Sequence, residues 1–161
     1  MQHLHKFPIR SKPTVGLSLA LLATVGFVLL VTMLRPMSGQ DQQLLYWYHA
    51  PVGFVFGLFG LDRWHWFRNL RNLRKSYSAV PIDLLVILIS ASRTITWFLP
   101  LSGHTLFLTY AIGTSASRLT RVMALIVLIE AIAIKHFWLS DDVTPWVGLA
   151  VGLFAVLLRK L

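Results

Sequence analysis

The residues that could carry out chemistry are few and lie mostly in the second half of the chain. His104 and His136 could divide the work of phosphoryl transfer, because one imidazole can attack phosphorus while another protonates the leaving oxygen. A carboxylate must orient the attacking ring, and either Asp141 or Asp142 follows His136 closely enough to reach back to it. The chain has no cysteine, which removes thiolate chemistry and cysteine metal sites.

Four other residues could bind an anionic group. Ser102 and Gly103 stand at the predicted start of a helix, where free backbone N–H groups and the helix dipole favour phosphate. Gly103 would also allow an anion to approach the backbone closely. Lys135 and Arg93 would add positive charge, although an arginine near a helix end can also extend towards lipid headgroups. This set predicts a site for an anion such as phosphate.

The composition defines the environment in which these residues must be positioned. Of 161 residues, 56% are hydrophobic and only 13% are charged, and the mean hydropathy is +0.67. A water-soluble domain of this size would not carry such a composition, so part of the solvent must be lipid. Backbone groups in lipid need internal hydrogen bonds, which favours helices. We therefore predict an all-α, polytopic membrane helix bundle.

Apolar runs separated by short polar gaps predict about six transmembrane helices in a single domain that covers residues 1–161. The first run is long enough to cross a hydrocarbon core of roughly 30 Å and is interpreted as an uncleaved signal anchor. The predicted spans are 15–34, 44–61, 80–99, 103–117, 122–139 and 143–158, with a basic loop at 62–77.

The distribution of charge predicts the orientation. The chain has 15 Lys and Arg against 6 Asp and Glu, a formal net charge of +9. All basic residues except Arg35, Arg93 and Lys135 fall on one predicted side, which places both termini in the cytoplasm. The basic gaps suit contact with anionic membrane lipids rather than nucleic acid, because no aromatic-interleaved basic domain is present. This layout best suits a bacterial inner membrane.

In this topology the candidate residues gather at the outer ends of three consecutive helices, so the anion would bind at the outer membrane surface. Glu130 lies about 9 Å of helix rise below His136, inside the predicted bilayer. It would form a buried pair with Arg93 or a histidine, or act as a proton or metal relay. Asp83 is expected to cap a helix or to pair with the basic loop.

Two segments resemble motifs of a known family. Leu99-Pro100-Leu101-Ser102-Gly103-His104-Thr105 resembles the second motif of the type-2 phosphatidic acid phosphatase superfamily, and His136-Phe137-Trp138-Leu139-Ser140-Asp141-Asp142-Val143 resembles its third-motif region. The resemblance implies a six-helix bundle with a phosphate site at the non-cytoplasmic surface.

By this resemblance His136 would be the nucleophile, and His104 would protonate the leaving group. Asp141 or Asp142 would orient His136. Ser102 would bind phosphate oxygens together with the backbone of Gly103 and His104. No metal or other cofactor is implied. The substrate would be a lipid phosphate, for which phosphatidic acid, phosphatidylglycerol phosphate and polyprenyl diphosphate are candidates.

The sequence also departs from the family pattern. The first motif is absent before Ser102, Leu101 stands in place of the motif proline, and Glu130 and Ser140 occupy the positions of an arginine and an aspartate. These departures keep two other functions open. One is a catalytically inactive member of the same fold that binds a lipid or a partner protein. The other is a metal or proton site in a small transporter, built from His104, Glu130, His136 and the aspartates.

Overall fold

The computed structural model describes residues 13–34, 40–68, 79–95 and 101–161, and side chains within 16–33, 47–64, 80–92 and 101–161. Within these ranges the protein is all-α, with six helices and no strand. The helices are α1 (Pro13–Leu34), α2 (Gln40–Arg68), α3 (Ala79–Ile95), α4 (Gly103–Thr114), α5 (Arg118–Phe137) and α6 (Thr144–Lys160).

Each predicted span overlaps one helix, but the ends differ. Helix α2 continues to Arg68, through the first part of the segment that was predicted as a basic loop. Hydropathy marks where side chains turn polar, whereas the helix needs only continued backbone hydrogen bonds. Helix α4 stops at Thr114 because Ser115 takes an extended conformation, and the Ser117 hydroxyl then accepts a bond from the N–H of Thr120 to cap α5.

Helix α1 is long and apolar enough to cross a membrane. Its segment Gly16–Met33 has a mean hydropathy of 2.3, and only 11% of it is buried against the rest of the protein. By length and composition it is the one helix within the described ranges that meets this criterion, and Val80–Ser92 of α3 is a shorter apolar helix. The described residues therefore contain one membrane-like helix, which lies near the N-terminus.

Helix α4 is the centre of the bundle. Eight of its twelve residues are buried. It packs most extensively on α6 and α5, and it also contacts α3 and α2. Helix α1 packs mainly on α2, and α2 in turn contacts α5. Because α4 is both short and enclosed, the groups at its two ends are fixed by its neighbours.

Glycines allow the closest helix contacts. Gly57 of α2 faces the backbone of Ala20 in α1, where an added Cβ would lie 2.7 Å from Cα. Gly148 of α6 faces the start of α4, where an added Cβ would lie 2.1 Å from Oγ1 of Thr105 and 2.5 Å from the carbonyl oxygen of Ser102. Small residues at such crossings let helix backbones approach each other.

Substitution of Gly148 by alanine is expected to destabilise the protein by about 1–3 kcal/mol. The new methyl group has no free space, so α4 and α6 must separate where the Ser102 N–H donates to the Thr144 carbonyl, at 2.9 Å. Thermal unfolding in detergent measures the effect. Gly26→Ala is the control, because no atom lies within 4 Å of its added Cβ apart from its chain neighbours and the backbone of its own helix. Equal melting temperatures for the two variants would contradict the close packing.

A buried ionic network joins four helices at the end of the bundle where α4 terminates. Asp83 of α3 accepts a hydrogen bond from the Tyr110 hydroxyl and one from Nη1 of Arg159 at 2.9 Å. Nε of Arg63 lies 3.2 Å from the second carboxylate oxygen. Arg63 belongs to the segment predicted as the basic loop, so the expected pairing of Asp83 with that segment is confirmed.

The same end is closed by contacts to the turn between α4 and α5. Nη2 of Arg63 donates to Oγ1 of Thr114 at 2.9 Å. The carboxylate of Asp62 accepts from the backbone N–H of Ala116 at 2.8 Å. These bonds satisfy polar groups that would otherwise be left unpaired where α4 ends.

Candidate functional site

The candidate site lies at the opposite end, where α4 begins. Ser102 is only 2% exposed and caps the helix, its hydroxyl oxygen accepting from the N–H of Thr105 at 3.4 Å. Its own N–H donates to the carbonyl oxygen of Thr144. Gly103, the next residue in the chain, is also buried. The described contacts of Ser102 are therefore those of a helix cap that fixes the start of α4 against the start of α6.

His104 forms a histidine pair with α2. Its Nε2 lies 2.9 Å from Nδ1 of His49, and the ring centroids are 4.6 Å apart. The ring of Tyr48 meets His104 edge-on at 4.2 Å. His49 is 9% exposed, whereas His104 is half-buried. Nothing in the spacing of His49 marks it as a functional residue, because its helix is remote in sequence from the Ser-Gly-His segment.

Lys135 forms an ion pair with Asp141 beside the start of α6. Its Nζ lies 2.6 Å from Oδ2 of Asp141 and 3.0 Å from Oγ1 of Thr144. The N–H of Thr144 donates to the other carboxylate oxygen at 3.1 Å. Burial alone would raise the pKa of Asp141, but the hydrogen bonds from Lys135 and Thr144 outweigh it and lower this pKa to about 2. Asp141 therefore stays ionised at neutral pH.

The turn after α5 separates the two aspartates. The N–H of Asp141 donates to the Lys135 carbonyl at 2.9 Å, which brings the chain back over the last turn of the helix. Ser140 has φ 49°, in the left-handed region that lets the backbone reverse so tightly. As a result, consecutive carboxylates reach different partners.

Asp142 is the carboxylate that contacts His136. Its Oδ1 is hydrogen-bonded to Nδ1 of the ring, and the two side chains are 66% and 56% exposed, respectively. The ring of Phe137 meets His136 edge-on, with centroids 4.6 Å apart. The sequence left open which aspartate would orient His136, and the geometry pairs it with Asp142.

The predicted residues thus form two groups at one end of the bundle. Ser102 and Lys135 are linked through Thr144, and His104 belongs to the first turn of the helix that Ser102 caps. His136 and Asp142 form the second group, and no contact in the described part of the chain joins His136 to His104.

Two other predicted site residues make no described contact with the rest of the candidate site. The backbone of Arg93 belongs to α3, and its side chain lies outside the described residues. Glu130 is half-buried in α5, and no hydrogen bond or ion pair among the described side chains involves it. Its roles as a buried pair or relay stay predictions. Where side chains are described, no group of three or more His, Asp or Glu is arranged to hold a metal.

Comparison with known proteins identifies no family for this chain. No protein-family model, no curated protein and no solved structure matches the chain. The resemblance to the type-2 phosphatidic acid phosphatases therefore stays a prediction that depends on the Ser102–His104 and His136–Asp142 segments alone.

Proposed function

We propose that the chain is a multi-pass protein of the bacterial inner membrane, with both termini in the cytoplasm. The support is the distribution of exposed apolar side chains, which extends well beyond α1. Leu88 of α3, Ile129 of α5 and Leu157 of α6 are each more than 60% exposed. The polar groups of Asp83 and Thr105 are buried inside the same bundle. An apolar exterior around a partly polar interior is typical of helices that cross lipid.

Cysteine labelling tests this topology, because the natural chain contains no cysteine. Ser140→Cys lies in the exposed turn before α6, and Ala116→Cys lies in the exposed turn between α4 and α5. We expect a membrane-impermeant maleimide to label Ser140→Cys in intact cells, and Ala116→Cys only after permeabilisation. Labelling of both variants in intact cells would contradict a crossing by α5.

The function that the geometry supports best is cleavage or transfer of a lipid phosphate at the outer membrane face. The observation that carries this proposal is the contact between Nδ1 of His136 and Asp142. A ring that donates Nδ1–H to a carboxylate keeps the lone pair of Nε2 for attack, and the carboxylate stabilises the charge that develops. Since His136 is more than half exposed, a headgroup can reach it.

In the proposed reaction Nε2 of His136 forms a bond to phosphorus while the bond from phosphorus to the lipid oxygen breaks. The leaving oxygen takes a proton from His104. Water then attacks the phosphohistidine, releasing phosphate and restoring the ring, or another acceptor takes the phosphoryl group. Lys135 and the start of α4 supply positive charge for the phosphate oxygens. Phosphatidic acid, phosphatidylglycerol phosphate and polyprenyl diphosphate all present the required group.

A second candidate is a non-catalytic protein of the same fold that binds lipid or a partner. Two observations favour it. The charge of Lys135 is already compensated by Asp141, and His104 is paired with His49 rather than with His136. Such an arrangement could bind an anionic headgroup without turning it over. No comparable contact among the described side chains supports a proton or metal site around Glu130.

Phosphate release by the purified protein distinguishes the two candidates. The protein in detergent is offered phosphatidic acid, phosphatidylglycerol phosphate and a polyprenyl diphosphate at equal mole fraction, with and without a chelator. We expect chelator-independent release of inorganic phosphate from at least one of them. Binding of a lipid without release from any member of the panel would support the non-catalytic candidate instead.

A further inference from the structure

The histidine pair is the feature that neither the sequence motifs nor the proposed reaction explains. His49 is almost fully buried, and its Nδ1 is directed at Nε2 of His104 at 2.9 Å. The second nitrogen of His104, Nδ1, takes part in no contact among the described residues. Nε2 of His104 is therefore hydrogen-bonded to His49, and Nδ1 can contact a ligand.

We propose that His49 is a positioning residue for His104, which holds the ring and its proton for delivery to the leaving oxygen. This inference rests on the proposed phosphoryl transfer and deepens it. A hydrogen bond to one nitrogen of an imidazole fixes which nitrogen carries the reactive proton. Here the bond to Nε2 assigns the donor role to Nδ1 of His104.

The proton balance explains why two rings are needed. A neutral His104 that gave up Nδ1–H would become an imidazolate, which is too basic to form at neutral pH. If the pair carries one extra proton, both nitrogens of His104 are protonated and Nε2–H donates to Nδ1 of His49. When the bond from phosphorus to the lipid oxygen breaks, Nδ1–H of His104 is transferred to that oxygen. Both rings are then neutral, and the hydrogen bond between them is retained.

The negative charge of the substrate gives a reason for the extra proton. A phosphate group held by Lys135 and the start of α4 would lie at the same end of the bundle as the histidine pair and would stabilise a positive charge on it. The pair then carries its extra proton when substrate is bound, so the acid forms where it is used.

Leaving-group dependence tests the positioning role against a purely structural one. A lipid alkyl phosphate has a poor leaving group that needs a proton, whereas 4-nitrophenyl phosphate leaves as a stable phenolate without one. We expect His49→Phe to lower kcat about 10²-fold for the alkyl phosphate and less than about 3-fold for the aryl phosphate, with little change in KM. His49→Asn, whose amide can still accept from Nε2–H, should recover part of the alkyl rate.

The control is Phe27→Leu, because Phe27 packs against His49 with ring centroids 6.2 Å apart but makes no contact with the shared proton. It should leave the ratio of alkyl to aryl rates unchanged. If wild-type protein turns over both substrates and His49→Phe slows them equally, His49 is structural and the inference is overturned while the proposed function stands. If wild-type protein turns over neither, the proposed function fails and the inference fails with it.

Discussion

Replacement of His136 by alanine is expected to reduce phosphate release to background, a loss of at least about 10³-fold in kcat. The variant lacks the nitrogen to which the phosphoryl group would be attached, and no other described side chain contacts Asp142 in a way that could replace it. Because the ring is exposed, its removal should leave the melting temperature nearly unchanged. Inorganic phosphate is measured with the best lipid substrate, alongside the melting temperature in the same detergent.

Asp142→Asn separates the roles of ring and carboxylate. Asparagine keeps the size of the side chain but cannot stabilise a positive ring, so kcat should fall about 10²-fold with KM little changed. Arg121→Ala is the control, because Arg121 is exposed near the start of α5 at the opposite end of the bundle. Unchanged release in both His136→Ala and Asp142→Asn, with intact wild-type activity, would exclude the phosphohistidine mechanism.

The second large effect is expected from Asp83→Ala, which should destabilise the protein by about 3–5 kcal/mol. The substitution leaves Arg63 and Arg159, whose side chains are each only 11% exposed, without their shared carboxylate. Without the carboxylate between them the two buried guanidinium groups repel each other, and the Tyr110 hydroxyl also loses its acceptor. Thermal unfolding in detergent is the measurement.

Asp62→Asn provides a matched comparison, since Asp62 lies at the same end and its hydrogen bonds within the described part of the chain come from the backbone N–H groups of Ala116 and Ser117. An amide oxygen can still accept those bonds, so a loss of about 1 kcal/mol or less is expected. Equal stability of Asp83→Ala and Asp62→Asn would show that the two arginines escape to water instead of remaining paired inside the bundle.

The helical architecture was largely predictable because apolar runs and breaks follow directly from side-chain hydropathy. The apolar stretch of α1 and the gap around Ser140 both correspond to features of the structure. The continuation of α2 to Arg68 was not predictable in this way. There the side chain of Arg63 is buried in the bundle, where it pairs with Asp83. A residue that hydropathy assigns to an exposed loop is therefore part of the interior.

The site was predictable only where its partners are close in sequence. His136 and Asp142 belong to one turn, and the candidates already included that pair. His49 and His104 meet only because α2 packs beside the start of α4, and Arg159 reaches Asp83 only because α6 lies along α4. Neither long-range contact leaves a spacing signal in a single sequence. Lys135 was predicted to bind phosphate, and its compensation by Asp141 depends on the tight turn at Ser140.

The ionic network at Asp83 also constrains the order in which the bundle can assemble. Helices α1 and α2 can pack together through Gly57 without help from later segments. By contrast, the carboxylate of Asp83 draws its partners from α2, α4 and α6, and Arg159 lies in the final turn of α6. Until α6 is made, the carboxylate of Asp83 can pair with Arg63 but lacks the hydrogen bond from Arg159. The network is therefore complete only after α6 has packed against the other helices, which makes it a late step in the assembly of the described bundle.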